Sequence, residues 1–210
     1  MNKTIFFISI ICSCFAACKS KDQKNTAEAN QPVKIKVDTS VTEGTTTKKR
    51  PPIINIVDTV IVPQHIIYIK DSAASSTRLS NKLNELFRKR LPAVFSQLGV
   101  KPDGPPMVWY KSQQAPFFFE AGQPVWKKPA KLPKPFLIKT LAKDSAVVAH
   151  FFGPYDITIM GYEALNDWLQ DHKKKKTGPS YEIYVGNPYE ANGKKIDPYR
   201  VQTDIVFPHN

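Results

Sequence analysis

The residue best suited to chemistry is Glu182, a carboxylate inside the aromatic run Tyr181-Glu182-Ile183-Tyr184. The run has the composition of a mostly buried strand, where a charged group is costly unless a partner compensates it. Because side chains alternate along a strand, Glu182 and Tyr184 share one face. Aromatic faces attract organic cations by roughly 0.5–2 kcal/mol each, so this face suits a cationic ligand. The alternative is a solvated edge residue, or a carboxylate paired with a nearby lysine.

Glu120 is a second candidate carboxylate, since it follows three phenylalanines at positions 117–119. Two carboxylates at one cavity would permit general acid/base hydrolysis if burial raised the pKa of one of them. The alternative for Glu120 is a glutamate at the end of a strand, in water. The remaining candidate pocket residues are aromatic and could instead be core or helix-packing residues: Tyr110, Trp109, Phe119 and Tyr155.

The formal net charge of +12 raises the possibility of a nucleic-acid or anionic-lipid partner; the alternative is solvated lysines on surfaces and tails. The basic residues are scattered, however, and no helix-turn-helix pattern or basic stripe interleaved with aromatics is present. The histidines are isolated, and Cys12, Cys14 and Cys18 all lie in the first eighteen residues. No Gly-rich phosphate loop or nucleophile elbow occurs. We therefore expect no nucleic acid, no metal site and no cofactor.

The N-terminus has the pattern of an export signal. Lys3 supplies a positive charge, and residues 5–17 form an apolar stretch too short to span a bilayer as a helix. Phe15-Ala16-Ala17-Cys18 resembles the bacterial lipoprotein cleavage box, although that pattern prefers Leu at the position of Phe15. We interpret residues 1–17 as a lipoprotein signal peptide and Cys18 as the lipidation site; a plain secretory signal is the alternative. The polar residues up to about 50 cannot offset the entropy of ordering the backbone, so 18–52 is predicted to be a disordered tether.

Residues 53–210 carry the patterns of a folded domain. Strands are predicted from 53 to 62, near 65–70, 107–111 and 117–120, then from 181 to 185 and from 201 to 207, with residues 136–141 and 146–152 forming a hairpin or one bent strand. Apolar residues recur at helical spacing from Leu79 to Leu98. Pro92 predicts a kink or break near Leu91. A second amphipathic helix, with Asp156 as its N-cap, is predicted from Ile157 to near His172, ahead of the strand that carries Glu182.

The two halves share the same order of elements, which indicates an internal duplication. Gly104-Pro105-Pro106-Met107-Val108-Trp109-Tyr110 lines up with Gly178-Pro179-Ser180-Tyr181-Glu182-Ile183-Tyr184, and a long amphipathic helix precedes each copy. Repeat one is assigned to about 64–125 and repeat two to about 136–210.

These motifs resemble a known family. Gly153-Pro154-Tyr155-Asp156, the helix, the segment 178–184 and Thr203-Asp204-Ile205-Val206-Phe207-Pro208 are together similar to the GyrI-like effector-binding domain of AraC-type and MerR-type regulators. The segment 119–125 resembles the end of that family's first half. The resemblance covers about 64–210. It implies an α+β fold of tandem β-α-β-β repeats with pseudo-two-fold symmetry, in which two long helices flank an antiparallel sheet.

The resemblance also implies an aromatic pocket between the repeats, with a carboxylate that meets lipophilic cations. Glu182 matches the family's glutamate, and Tyr184 and Tyr110 match its tyrosines. Free-standing members include a gyrase inhibitor and hydrolases of cyclopropane-containing genotoxins. A signal peptide without a preceding DNA-binding domain argues against transcriptional sensing and gyrase binding here.

The favoured hypothesis is a monomeric lipoprotein of the bacterial envelope, on the outer rather than the inner membrane. It would bind a small, mostly apolar molecule that can be cationic. The ligand-binding residues would be Glu182, Tyr184, Tyr110, Trp109, Phe119, Glu120 and Tyr155. Binding is favoured over catalysis; an enzyme would be a hydrolase using Glu182 and Tyr184. The third alternative is an adaptor that contacts another envelope protein.

Overall fold

The computed structural model describes residues 50–190 and 192–210. The predicted signal peptide (1–17), the lipidation site Cys18 and nearly all of the predicted tether (18–52) therefore lie outside the described residues. The strands are β1 (Ile53–Ile61), β2 (Gln64–Ala73), β3 (Met107–Tyr110), β4 (Phe117–Val125), β5 (Leu137–Leu141), β6 (Asp144–Phe152), β7 (Tyr181–Tyr184) and β8 (Gln202–His209). The α-helices are α1 (Ser76–Glu85), α2 (Leu91–Leu98) and α3 (Ile159–Asp171).

The eight strands form one antiparallel sheet in the order β1-β6-β8-β7-β3-β4-β2-β5. This order reads the same from either end when β1 is exchanged with β5, β6 with β2, β8 with β4 and β7 with β3. The pseudo-two-fold axis therefore passes between β7 and β3, where Val108 pairs with Glu182. The predicted α+β fold of two β-α-β-β repeats is confirmed.

The strands β5 and β6 do not form the predicted hairpin. Although only two residues separate them, β5 pairs with β2 and β6 pairs with β1 and β8. The strand β1 thus extends the sheet of repeat two, and β5, at the start of repeat two, extends the sheet of repeat one. Local pattern marks a segment as a strand, but its partner is decided by contacts distant in the sequence.

The helix of repeat one continues through Pro92. Ser75 caps it, since its hydroxyl accepts a hydrogen bond from the backbone N–H of Arg78 at 3.3 Å, and Gly99 ends it in the left-handed region at φ 60°. Between α1 and α2, residues Leu86–Arg90 form a π-helical turn. Proline cannot donate the intrahelical hydrogen bond and crowds the preceding turn, and a π turn absorbs this without a break.

The helix of repeat two begins later than the sequence pattern indicated. A 3-10 turn, Tyr155–Ile157, precedes α3. The helix packs closely on the sheet at Gly161, where a Cβ atom would lie 2.5 Å from Cδ1 of Ile205. This close approach brings Tyr162, the next residue, down to the sheet surface.

Both helical segments cover the same face of the sheet. Cross-strand partners point to the same side, and one such row runs through Ala121, Val108, Glu182, Ile205 and Ala149. Ala121 and Val108 belong to the core under α1 and α2, and Ile205 and Ala149 to the core under α3. The opposite face, here called the open face, carries a smaller core that includes Met107, Trp109 and Tyr181. No helix in the described part of the chain is both long and apolar enough to cross a bilayer.

Candidate functional site

Glu182 lies in the middle of the sheet, on the face that the helices cover. Its partners across β3 and β8 are Val108 and Ile205, both fully buried. Glu182 itself is only 3% exposed. It is thus a charged residue in an otherwise apolar row, at the junction of the two repeats. The alternative of a solvated edge residue is wrong.

Among the described residues, the polar partners of this carboxylate are tyrosines. The hydroxyl of Tyr162 donates a hydrogen bond to Oε1 of Glu182 at 3.0 Å, and the hydroxyl of Tyr184 is a second hydrogen-bond partner. None of the ion pairs among residues 50–190 and 192–210 involves Glu182. The alternative in which a lysine neutralises this glutamate is therefore wrong as well.

Tyr110 and Tyr184 form an arch over the Val108–Glu182 pair. Because β3 and β7 are antiparallel, these two tyrosines lie on opposite sides of the pair, about 13 Å apart along the strands. Their side chains lean toward each other, and the two hydroxyl oxygens are 2.7 Å apart. They are equivalent residues under the pseudo-two-fold axis, so the arch is a product of the duplication.

Two further aromatic rings close the arch from the sides. Phe87, in the π-helical turn, meets the ring of Tyr184 edge-on at 6.1 Å, and Tyr155 meets it edge-on from the other side at 5.7 Å. Tyr155 is 48% exposed, so it forms the solvent side of the cluster. We call Glu182, Tyr162, Tyr184, Tyr110, Tyr155 and Phe87 the tyrosine cluster.

Burial sets the protonation of the tyrosine cluster. It raises the pKa of Glu182 from 4.5 to about 7, although hydrogen bonds from Tyr162 and Tyr184 oppose the shift. Burial, followed by the negative charge of Glu182, raises the pKa of Tyr162, Tyr110 and Tyr184 well above 10. The tyrosines are therefore neutral donors, and Glu182 is the group that titrates near neutral pH.

Of the three further residues that the sequence prediction placed in the pocket, the structure puts Trp109 and Glu120 on the other face of the sheet. Trp109 and Glu120 pair with each other on the open face. There Glu120 binds Lys139 and Lys70, each at 3.1 Å. Phe119 is on the helix face, where it pairs with Tyr110 across the strands, and it is 2% exposed within the core of α1 and α2. The idea of two carboxylates at one cavity is wrong, because the sheet separates Glu120 from Glu182.

Sequence reasoning missed Tyr162 and Phe87. Tyr162 precedes the core residues Leu165 and Leu169 by three and seven positions, a spacing that puts all three on one helix face. That signal was available in the sequence. Phe87 lies within the apolar pattern from Leu79 to Leu98, and its approach to Tyr184 depends on the π-helical turn, which residue spacing does not reveal.

An open cavity between the repeats was expected. At this junction Tyr110, Tyr184, Tyr155 and Phe87 instead contact one another, and Glu182 is 3% exposed. Two depressions lie elsewhere, and Glu182 lines neither. One, of about 490 Å³, is a polar groove along α1 at residues such as Asn81 and Arg88; the other, of about 220 Å³, lies on the open face beside Met107, Tyr181 and Leu141. No group of three or more potential metal ligands occurs among the described residues.

Comparisons with known proteins agree on the fold. No family model matches this chain, and no curated protein sequence gives a significant match. The crystal structure of the EcmrR C-terminal domain superposes with a TM-score of 0.63 at 16% identity, covering 75% of this chain and 98% of that one. EcmrR in its complex with DNA gives a TM-score of 0.63 at 15% identity, covering 75% of this chain and 57% of that one.

A looser similarity links the chain to SAV2435 bound to tetraphenylphosphonium, with a TM-score of 0.47 at 13% identity over 74% of this chain and 94% of that one. At these identities the similarities concern the fold alone. Together with the strand order, the EcmrR match confirms the α+β fold that the sequence motifs predicted.

Proposed function

We propose that this domain binds a small, mostly apolar organic cation in the tyrosine cluster, with Glu182 as the counter-ion. The observation that carries the proposal is a carboxylate 3% exposed, at the junction of two repeats, without a cationic partner in the described part of the chain. A buried charge in a stable protein is normally paired. A ligand that supplies the missing positive charge explains why the glutamate is there.

The surroundings of Glu182 fit the rest of such a ligand. Tyr184, Tyr110, Tyr155 and Phe87 offer ring faces, which attract cations and bury apolar area together. The carboxylate fixes the position of the charge, and the rings tolerate a range of shapes.

Access requires the arch to open. The contacts that hold it are the hydrogen bond between the two neutral tyrosines, the hydrogen bonds of Tyr184 with Glu182 and of Tyr155 with Thr203, and two edge-on ring contacts. A neutral hydrogen bond contributes only about 0.5–1.5 kcal/mol. Tyr155 is half exposed, so we expect it to rotate outward first and the ligand to take its place against Tyr184.

Titration with a permanently charged arylphosphonium cation, followed by calorimetry, tests the proposal. We expect saturable binding that Glu182→Gln weakens by about 2 kcal/mol or more, roughly thirtyfold, because the cation would be buried without its counter-ion. Glu120→Gln is the matched control, since it removes the same charge on the open face and should leave the affinity unchanged. An equal loss in both variants, or equal binding of an uncharged aryl phosphine oxide, contradicts the proposal.

Hydrolysis of the bound molecule is the second candidate. It is favoured by one observation, the pKa of about 7 for Glu182, which suits a general acid or base at neutral pH. Tyr184 would serve as a neutral donor beside it. Mass spectrometry of the ligand after incubation separates the two functions: binding returns the ligand unchanged, and hydrolysis changes its mass.

We also propose that the domain is tethered to the bacterial envelope through a lipid on Cys18. The support is the sequence alone, namely the apolar stretch 5–17 and the cleavage box before Cys18. Cys18→Ser should move the protein from the membrane fraction to the soluble fraction after export. Retention of the serine variant in membranes would refute the anchor, and a stoichiometric co-purifying protein without small-molecule binding would favour the adaptor alternative.

A further inference from the structure

The segment between the two repeats has a charge pattern that the ligand site does not explain. From residue 121 to residue 143 the sequence contains six lysines and no aspartate or glutamate. Lys139 is already used by Glu120. Four other lysines lie between β4 and β5 and are exposed: Lys127, Lys128, Lys131 and Lys134. We call residues 126–136 the basic connector.

An exposed tryptophan begins the basic connector. Trp126 is 56% exposed, and Nζ of Lys127 lies 5.1 Å from the centre of its ring. An exposed aromatic side chain next to clustered lysines is the composition of a surface that binds at a membrane interface. Tryptophan in particular is favoured at the boundary between water and lipid headgroups, because its ring is apolar and its N–H is polar.

The basic connector is held against the domain, so its lysines are presented in a fixed region. Leu132 and Phe136 pack on the core of repeat one, and the guanidinium of Arg90 lies 5.5 Å from the centre of the Phe136 ring. The backbone N–H of Trp126 donates a hydrogen bond to the carbonyl of Lys101 at 3.2 Å. Apolar residues thus point inward, while the lysines and Trp126 remain in solvent.

The other basic run of the domain, Lys173–Lys176, has a different character. Nζ of Lys176 lies over the ring of Phe207 at 3.4 Å, and burial lowers the pKa of this lysine. Trp168, the tryptophan nearest to this run in sequence, is half buried and stacks on His172 at 4.0 Å. This run therefore serves as a control for charge without an exposed aromatic residue.

We propose that the basic connector docks the domain on a membrane surface through anionic phospholipid headgroups, with Trp126 inserted at the interface. Clustered lysines are attracted by the negative surface potential of such a bilayer, and an aromatic residue beside them supplies apolar insertion. Docking would hold the domain in a defined orientation on the membrane.

The experiment uses the full chain on vesicles that contain brominated phospholipid, which quenches tryptophan only at membrane depth. We expect strong quenching on vesicles with 30% phosphatidylglycerol and at least a fivefold weaker effect on pure phosphatidylcholine vesicles. Trp126→Phe should remove the quenching, because Trp109 is 6% exposed and Trp168 is half buried. Salt at 0.5 M should also remove it, since the Debye length then falls to roughly 4 Å.

A charge-matched pair of variants decides whether the basic connector is responsible. Replacing Lys127, Lys128, Lys131 and Lys134 by Gln should abolish the quenching on anionic vesicles. The control variant removes the same charge elsewhere and should leave the quenching unchanged. It replaces by Gln three lysines of the other basic run and one exposed lysine in place of Lys176, which lies over Phe207: Lys173, Lys174, Lys175 and Lys194. Equal losses in the two variants, equal quenching on both lipid compositions, or persistence in Trp126→Phe would overturn the proposal. Glu182 lies outside the basic connector, so the Glu182→Gln variant should show the same quenching on anionic vesicles as the native protein. The vesicle experiment is therefore independent of ligand binding.

Discussion

At the residue scale, the burial of Glu182 without a cation couples the stability of the domain to pH. The pKa of this carboxyl is 4.5 in its ordinary state and about 7 in the folded protein. The folded state therefore binds more protons than the unfolded state between these values. The contribution of protonated Glu182 to the stability of the fold is fully present below pH 4.5 and is lost as the pH rises through 7.

Glu182→Gln should remove this pH-dependent cost. A shift from 4.5 to about 7 corresponds to roughly 3 kcal/mol at high pH. We expect the variant to be more stable than the native protein by about 1–3 kcal/mol at pH 8.5, and the difference to vanish near pH 4.5. Urea unfolding at several pH values measures this.

Glu120→Gln should lower, not raise, the stability of the domain at high pH. Hydrogen bonds and charges from Lys139 and Lys70 outweigh the desolvation of Glu120 and lower its pKa. Its contribution to stability is present at neutral pH and lost as the pH falls through the lowered pKa. A gain of stability at pH 8.5 in Glu120→Gln, or its absence in Glu182→Gln, would contradict the assignment of buried and paired carboxylates.

At the element scale, Gly122 of β4 sets how closely β2 and β4 can approach. A Cβ atom at this position would lie 2.3 Å from the carbonyl oxygen of Ile67 and 2.8 Å from Cα of Tyr68. These are backbone atoms of the paired strand, so they cannot move aside without breaking the pairing. Gly122→Ala should therefore destabilise the domain by about 1–3 kcal/mol or more.

Gly178→Ala is the matched control for Gly122→Ala, because a Cβ atom there would only touch Cγ of Pro208 at 4.0 Å. Thermal unfolding of the two variants gives the comparison. Similar melting temperatures would show that the close approach of β2 and β4 is not required.

Most of the elements, but not their partners, could be predicted from the sequence. The spacing from Leu79 to Leu98 and the Gly-Pro turns marked the helix of repeat one and the central strands. The exchange of β1 and β5 between repeats could not be predicted, because pairing depends on contacts far apart in sequence. Alternation correctly put Glu182 and Tyr184 on one face. The same alternation puts Trp109 and Glu120 on the face opposite Tyr110 and Phe119. The prediction overlooked this because it grouped these residues by type.

At the scale of the whole molecule, the duplication is symmetric in backbone but not in charge. Tyr110 and Tyr184 are equivalent, whereas the equivalent of Glu182 is Val108, which is fully buried. The tyrosine cluster therefore offers one carboxylate on the α3 side and an apolar surface on the other side. This arrangement fits a ligand with a single, off-centre positive charge.

A pair of ligands tests this asymmetry. An aryl monocation should bind at least tenfold more tightly than a dication of the same scaffold whose second charge would lie against Val108. The physical reason is that the second charge would be desolvated without a counter-ion. Calorimetric titration of both compounds measures the ratio, and equal or tighter binding of the dication would contradict the single-charge account.

The central claim is that Glu182 is the counter-ion of a bound cation, and the pH dependence of cation affinity tests it most directly. A proton and the ligand charge compete for the same carboxylate, whose pKa is about 7 in the free protein. Dissociation constants for a permanent arylphosphonium cation should therefore fall about tenfold between pH 6 and pH 8 and then level off. In Glu182→Gln the dissociation constants should be high and independent of pH. A native protein whose affinity does not change with pH, or a variant that keeps the native pH profile, would contradict the account.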